Sequence, residues 1–128
     1  MPLTLTILPG EFSICRLPAS ATVPDTLQGH GSFVAISRTA DELSIVSPSE
    51  LAPGTFDVRS DGWRCLRLDG VFDLTLTGVL SSILSPLATA QISVFASSTF
   101  DTDYLLLRQA DLPRAIDVLN KAGHQCQL

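Results

Sequence analysis

The chain has 128 residues, 45% of them apolar and 16% charged, a composition that builds a folded core and excludes a disordered segment. Eight basic against thirteen acidic residues leave a net charge of −5, which provides no basic stripe for a phosphate backbone and excludes nucleic acid as a partner. Ser, Thr, Pro or a charge interrupts every apolar run before the ~20 residues a bilayer requires, so no membrane partner is expected.

Leu3-Thr4-Leu5-Thr6-Ile7-Leu8 alternates at period two and predicts a first strand. It lacks the basic start and continuous apolar core of a secretory leader, so the expected location is the cytoplasm. After the turn Pro9-Gly10, Phe12 to Leu17 alternates again, and a hairpin could join the two strands. The stretch with Pro18 and Pro24 has room for at most a short helical piece. Phe33 to Arg38 and Leu43 to Val46 read as strands around Thr39-Ala40-Asp41-Glu42, and Pro48, Pro53 and Gly54 close this half.

Trp63 to Leu68 is a further strand, ended by Asp69-Gly70. Leu76, Val79, Leu80, Ile83, Leu84 and Leu87 form the apolar stripe of an amphipathic helix, in which Pro86 removes one backbone bond and should kink or restart the last turn. Ile92 to Ala96 and Tyr104 to Leu107 are aliphatic strands. Asp111 can cap a last helix with Leu112, Ala115, Ile116 and Leu119 on one face and Gly123 as its stop. His124, Cys126 and Leu128 alternate as a short closing strand.

The second half therefore reads β-α-β-β-α-β, the ferredoxin-like order of an α+β fold with an antiparallel sheet. The first half reads as its degraded copy. A shift of 61 lays Ser32–Leu51 without a gap on Ser93–Leu112, and a shift of 51 lays Phe12–Leu17 on Trp63–Leu68. The expected division is a degenerate half over residues 1–61 and a complete one over 62–128.

The segment Ile92-Ser93-Val94-Phe95-Ala96-Ser97-Ser98-Thr99-Phe100-Asp101-Thr102-Asp103-Tyr104-Leu105-Leu106-Leu107 resembles the signature of ACT domains of the aspartate-kinase type. The resemblance is greatest to the small tandem-ACT proteins related to the cytosolic arginine sensors. Leu76-Thr77-Gly78-Val79-Leu80, with Pro86-Leu87-Ala88, is similar to the same family's first helix, while Gln91 stands where the family usually has a glycine. The resemblance implies two ACT-like halves side by side and a regulatory module that holds a free amino acid between ACT units, without chemistry of its own. It implies that Ser98, Thr99, Phe100 and Asp103 lie against the ligand on one side and Gly70, Val71, Phe72 and Asp73 on the other. It also implies a homodimer, because the related sensors combine more ACT units than one chain supplies, and a regulated protein partner.

Read without the family, these residues have plainer roles. Gly70 to Asp73 is a strand-to-helix loop whose free N–H groups could hold a carboxylate or simply turn the chain. Asp103 could receive an ammonium or cap a turn. Asp101 and Asp103 supply too few oxygens for a hard cation, and no metal or other cofactor is expected. Ser97, Ser98 and Thr99 lack a nucleophile turn, and neither His30 nor His124 stands in a recognisable catalytic setting, which argues against an enzyme. Cys15, Cys65 and Cys126, odd in number and without C-x-x-C, read as buried thiols. The competing function is a structural or protein-interaction module whose ACT sheet only pairs subunits.

Overall fold

The computed structural model describes residues 2–29, 31–54 and 58–128, so His30 lies outside the described residues. The strands are β1 (Thr4–Ile7), β2 (Phe12–Leu17), β3 (Ala35–Arg38), β4 (Leu43–Pro48), β5 (Val58–Leu68), β6 (Val94–Ser98), β7 (Asp103–Arg108) and β8 (Gln125–Gln127). Two α-helices, α1 (Val79–Thr89) and α2 (Leu112–Lys121), flank the β6–β7 pair in sequence. The elements form an α+β fold and divide into two compact units, Gly10–Trp63 and a larger one that joins the residues up to Pro9 with Arg64–Leu128. Among the described residues no helix is long and apolar enough to cross a membrane.

In the smaller unit the strands run β3-β4-β2-β5, all neighbours antiparallel. This is the ferredoxin-like order, with residues 58–63 of β5 as its fourth strand and short 3-10 turns at Asp25–Leu27 and Ser49–Leu51 where helices would stand. Cys15, Leu17, Leu27, Leu43 and Ile45 form its core. The strand reaches back to Val58, earlier than the expected Trp63, because Val58, Arg59 and Ser60 find partners on Arg16, Cys15 and Ile14 of β2. Ser13, fully buried, donates to Asp61 and also bonds Ser49, while Arg59 pairs with Asp61 at 2.7 Å. The hydrogen bonds from Ser13 and then Arg59 hold the Asp61 carboxyl below its ordinary range.

The larger unit has the order β8-β1-β5-β7-β6. Here β1 takes the place beside β5 that a closing strand would fill, Leu5 opposite Leu68 and Ile7 opposite Leu66. The true closing strand β8 lies outside it and runs parallel to it, Leu5 opposite Cys126. Two expectations are thereby corrected. No β1–β2 hairpin forms, because β1 spends its two edges on β5 and β8 while β2 spends its own on β4 and β5. The sheet is also not purely antiparallel. The expected 61/62 division put residues 1–9 with the first half, whereas Leu3, Leu5 and Ile7 are buried in the same core as Leu66, Ile83, Leu87, Leu105 and Leu119 or pair with its strands.

Helix α1 starts at Val79, three residues after the expected Leu76. Gly78 holds φ at +81°, a left-handed conformation that no helix can run through. Leu76 stays 47% exposed as a result. The helix then continues through Pro86, whose missing N–H leaves the Ser82 carbonyl without its partner in the helix. His124 fills the gap: its Nε2 lies 3.1 Å from that carbonyl, and its Nδ1 accepts the Leu3 N–H at 3.1 Å. Asp111 precedes α2 but makes no capping hydrogen bond; its carboxylate pairs with Arg114 at 3.2 Å instead.

Both helices end in the same paired hydrogen-bond motif. Gly123 N–H bonds Asn120 O and His124 N–H bonds Leu119 O; Gln91 N–H bonds Ala88 O and Ile92 N–H bonds Leu87 O. The pivotal residue of such a motif is left-handed, and Gln91 adopts φ +59° where α2 has glycine at +95°. A side chain in that region costs about 1–2 kcal/mol, partly offset by the greater freedom of glycine in the unfolded chain. Gln91→Gly is therefore expected to stabilise the protein by about 0.5–1 kcal/mol, a rise of a few degrees in the thermal midpoint. A midpoint that falls would refute this account of the helix end.

Cys15 and Cys65 are buried and Cys126 half-buried, all three as free thiols. Burial pushes the Cys65 thiol up to about 12, so it stays protonated and unreactive in the folded chain.

Candidate functional site

In the larger unit two loops meet at the ends of β5 and β6. One runs from Gly70 to Gly78 and enters α1; the other is the four-residue turn from Thr99 to Thr102 that joins β6 to β7. The Phe72 N–H donates to the Asp101 carbonyl at 2.8 Å, and Thr102 Oγ1 donates to the Leu68 carbonyl at 2.6 Å, tying the turn to the strand and the loop. A cavity of about 290 Å³ opens between them. It is lined by Phe72, Asp73, Ser98, Thr99, Phe100 and Asp103, six of the eight residues named from sequence. Gly70 and Val71 lie instead on an adjacent depression of about 350 Å³, with Asp101 and Tyr104. Thr99 borders both.

Sequence reasoning missed the start of α1. Gly78, Val79, Leu80 and Ser81 also line the cavity. Gly78 makes no side-chain capping bond, and the Ser82 N–H to the Gly78 carbonyl, 3.0 Å, is the bond that opens the helix. The amides of Val79, Leu80 and Ser81 thus precede the first helical hydrogen bond, at the positive end of the helix dipole. The usable signal was Gly78, which marks where a helix must begin.

The acids of the site differ in their engagement. Asp73 Oδ1 accepts both the Thr75 N–H at 2.8 Å and the Thr75 hydroxyl at 2.7 Å, and these bonds hold its carboxyl below the ordinary range. Its Oδ1 is therefore engaged by the loop itself. Asp103 faces Ser98 across the β6–β7 pair and accepts the Ser98 hydroxyl at 2.5 Å through one oxygen. Phe100 is 77% exposed, an aromatic ring that serves no core.

The smaller unit has the same turn without these groups. In each unit a threonine N–H bonds the carbonyl three residues on, Thr39 to Glu42 at 2.9 Å and Thr99 to Thr102 at 2.8 Å, and the threonine hydroxyl accepts the returning N–H. The strand registers, Arg38 opposite Leu43 and Ser98 opposite Asp103, place counterparts 60 positions apart, one fewer than the sequence alignment. Thr39 then matches Thr99, Ala40 matches Phe100, and the fully buried Leu43 matches Asp103. Both the exposed ring and the acid are peculiar to the larger unit.

A family model described as an ACT domain matches residues 58–121, and one described as an N-terminal domain matches residues 10–55. A protein of solved structure from Agobacterium tumefaciens is 41% identical, with a TM-score of 0.91, over 100% of this chain and 95% of that one. The mouse cytosolic arginine sensor for mTORC1 subunit 1 is 28% identical over 111 residues, 81% of this chain but only 31% of that protein. This chain thus spans about a third of that relative. The aspartate kinase of Clostridium acetobutylicum shares the fold at 12% identity, TM-score 0.65, over 89% of this chain and 33% of that one. With the fold, the paired β6–β7 turn and these matches together, the chain belongs to the ACT-domain family.

Proposed function

We propose that this protein is a regulatory module that binds a free amino acid in the cavity of its larger unit and performs no chemistry on it. The observation that carries the reading is the pairing of opposite groups in one cavity: uncapped helix amides at Val79–Ser81 and the carboxylate of Asp103. Together they match a zwitterion, whose carboxylate suits the positive end of α1 and whose ammonium suits Asp103. In this reading the helix amides, rather than the Gly70–Asp73 loop, take the ligand's carboxylate, because the loop carries the Asp73 carboxylate into the same cavity. Phe100 supplies a face for the ligand's side chain or its cationic group. The similarity to a protein named as an arginine sensor supports the same reading.

In this reading the two ACT-like units form a tandem, the chain works in the cytoplasm as a homodimer, and the ligand favours the arrangement that contacts it, a preference a protein partner reads. The test is a thermal-shift screen of the twenty amino acids against purified protein. A true ligand at a hundred times its dissociation constant stabilises by about 2.7 kcal/mol, a shift of several degrees. If none of the twenty moves the midpoint, the protein is a scaffold that pairs subunits without a ligand.

A further inference from the structure

In the stretches of the two units that align, Phe12–Leu17 at a shift of 51 and Ser32–Leu51 at the register's 60, only two charged residues recur. They are Arg16 with Arg67 and Asp41 with Asp101. In each unit the pair borders a depression at the end of the central strand, about 310 Å³ for Arg16 and Asp41 and about 350 Å³ for Arg67 and Asp101. Both arginines lie on the sheet face away from the core, since Cys15 and Leu17 beside one, and Leu66 and Leu68 beside the other, are core residues. The copies differ two residues after the arginine. Asp69 in the larger unit pairs with Arg67 at 3.2 Å and also accepts the Thr6 hydroxyl. Pro18 stands at that place in the smaller unit and has no side-chain acceptor. Arg16 is consequently the one arginine that makes no hydrogen bond or ion pair among the described residues. The Asp41 carboxylate is equally free, only its N–H being used, by Thr39 Oγ1. Two opposite charges thus border one depression without neutralising each other.

We propose that the smaller unit has a ligand site of its own, between Arg16 and Asp41, for a free amino acid with an apolar side chain. The charges select the class. A plain anion drawn to Arg16 would meet Asp41, and a plain cation drawn to Asp41 would meet Arg16, whereas a zwitterion satisfies both. The guanidinium fork suits the carboxylate with two parallel hydrogen bonds, and the Asp41 carboxylate suits the ammonium. Leu17, Pro18 and Val58 complete the lining, and Val58, opposite Arg16 on β5, is 41% exposed. An aliphatic side chain laid on them removes apolar surface from water. The larger unit's cavity has the contrary lining, Asp73, Asp101 and Asp103 with no basic residue among the described ones, so the two units differ in what they hold. This site stands whether or not the larger unit binds an amino acid.

Nitrogen-15 NMR of the full chain, titrated with L-valine at millimolar concentration, tests it. Valine should shift the Arg16 side-chain N–H and the Asp41 and Val58 amides, with a dissociation constant of about a millimolar, as so few atoms allow. Isobutylamine and 3-methylbutanoate, which each lack one charged end of valine, should bind at least about tenfold more weakly. Arg16→Gln and Asp41→Asn should each weaken valine binding about ten- to a hundredfold. Neither side chain has a partner in the fold, so both variants should keep the parent's urea midpoint. No shift with valine, shifts confined to Val79–Ser81 and Thr99–Asp103, half-ligands that bind as well as valine, or variants within a factor of two of the parent would each overturn the site. The larger cavity is judged separately in the same spectra, by shifts at Val79–Ser81 and Asp103 with the amino acid found in the thermal screen.

Discussion

His124→Ala is expected to destabilise the protein by about 2–4 kcal/mol, seen as a lower urea midpoint. The ring is buried and uses both nitrogens, Nδ1 as acceptor for the Leu3 N–H and Nε2 toward the Ser82 carbonyl. With these partners the satisfied form is the neutral imidazole protonated at Nε2. Its removal strands one backbone donor and one acceptor in a buried region, each worth about 1–3 kcal/mol, and leaves a cavity as well. The account is specific about cause. The Ser82 carbonyl needs His124 only because Pro86 has no N–H to donate. Pro86→Ala should therefore restore the helical bond and recover more stability in the His124→Ala background than in the parent, a coupling of at least about 0.5 kcal/mol. If the two substitutions are simply additive, the histidine does not stand in for the missing amide.

Asp103→Asn is expected to weaken binding of the amino acid identified by the thermal screen about ten- to a hundredfold. A free amino acid offers few atoms, so its affinity must come largely from its charged ends, and removing the anion leaves the ammonium or guanidinium without its partner, about 1.5–3 kcal/mol. The fold should be spared. Asparagine keeps an oxygen for the Ser98 hydroxyl, and the smaller unit makes the equivalent turn with Leu43 at this position. Calorimetric titration of parent and variant decides the matter. An affinity within a factor of two of the parent would reduce Asp103 to a residue that shapes the strand entry.

What could be read of the site divides along the same line as what could be read of the fold. Thr99, Phe100 and Asp103 were named only through the family resemblance of the Ile92–Leu107 segment, since by residue type alone they read as an ordinary turn; the fold brings all three to one cavity. The amides of Val79 to Ser81 were not named, because every residue except proline carries one and only the start of α1 leaves these three without helical partners. The alignment of the two halves at 61, where strand pairing gives 60, has a similar origin. Each frame keeps four identities, Ser32, Ala35, Ser37 and Leu51 at 61 and Val34, Ser37, Thr39 and Asp41 at 60, and only the cross-strand register distinguishes them.

The sequence by itself determined the local elements: β2 from its alternation, α1 and α2 from their apolar stripes, the stop of α2 from Gly123. These follow from periods of two and 3.6, which a chain displays whatever lies beside it. Tertiary structure alone decided which strands pair. The alternation of Leu3 to Leu8 is the same whether its neighbour is β2 in a hairpin or β5 and β8 in a sheet, because edge hydrogen bonds belong to the backbone and leave no mark in side-chain order. Burial of Leu3, Leu5 and Ile7 in the larger core selects the second arrangement. The role of His124 was settled in the same way, by a carbonyl on α1 that a distant proline had left without its donor.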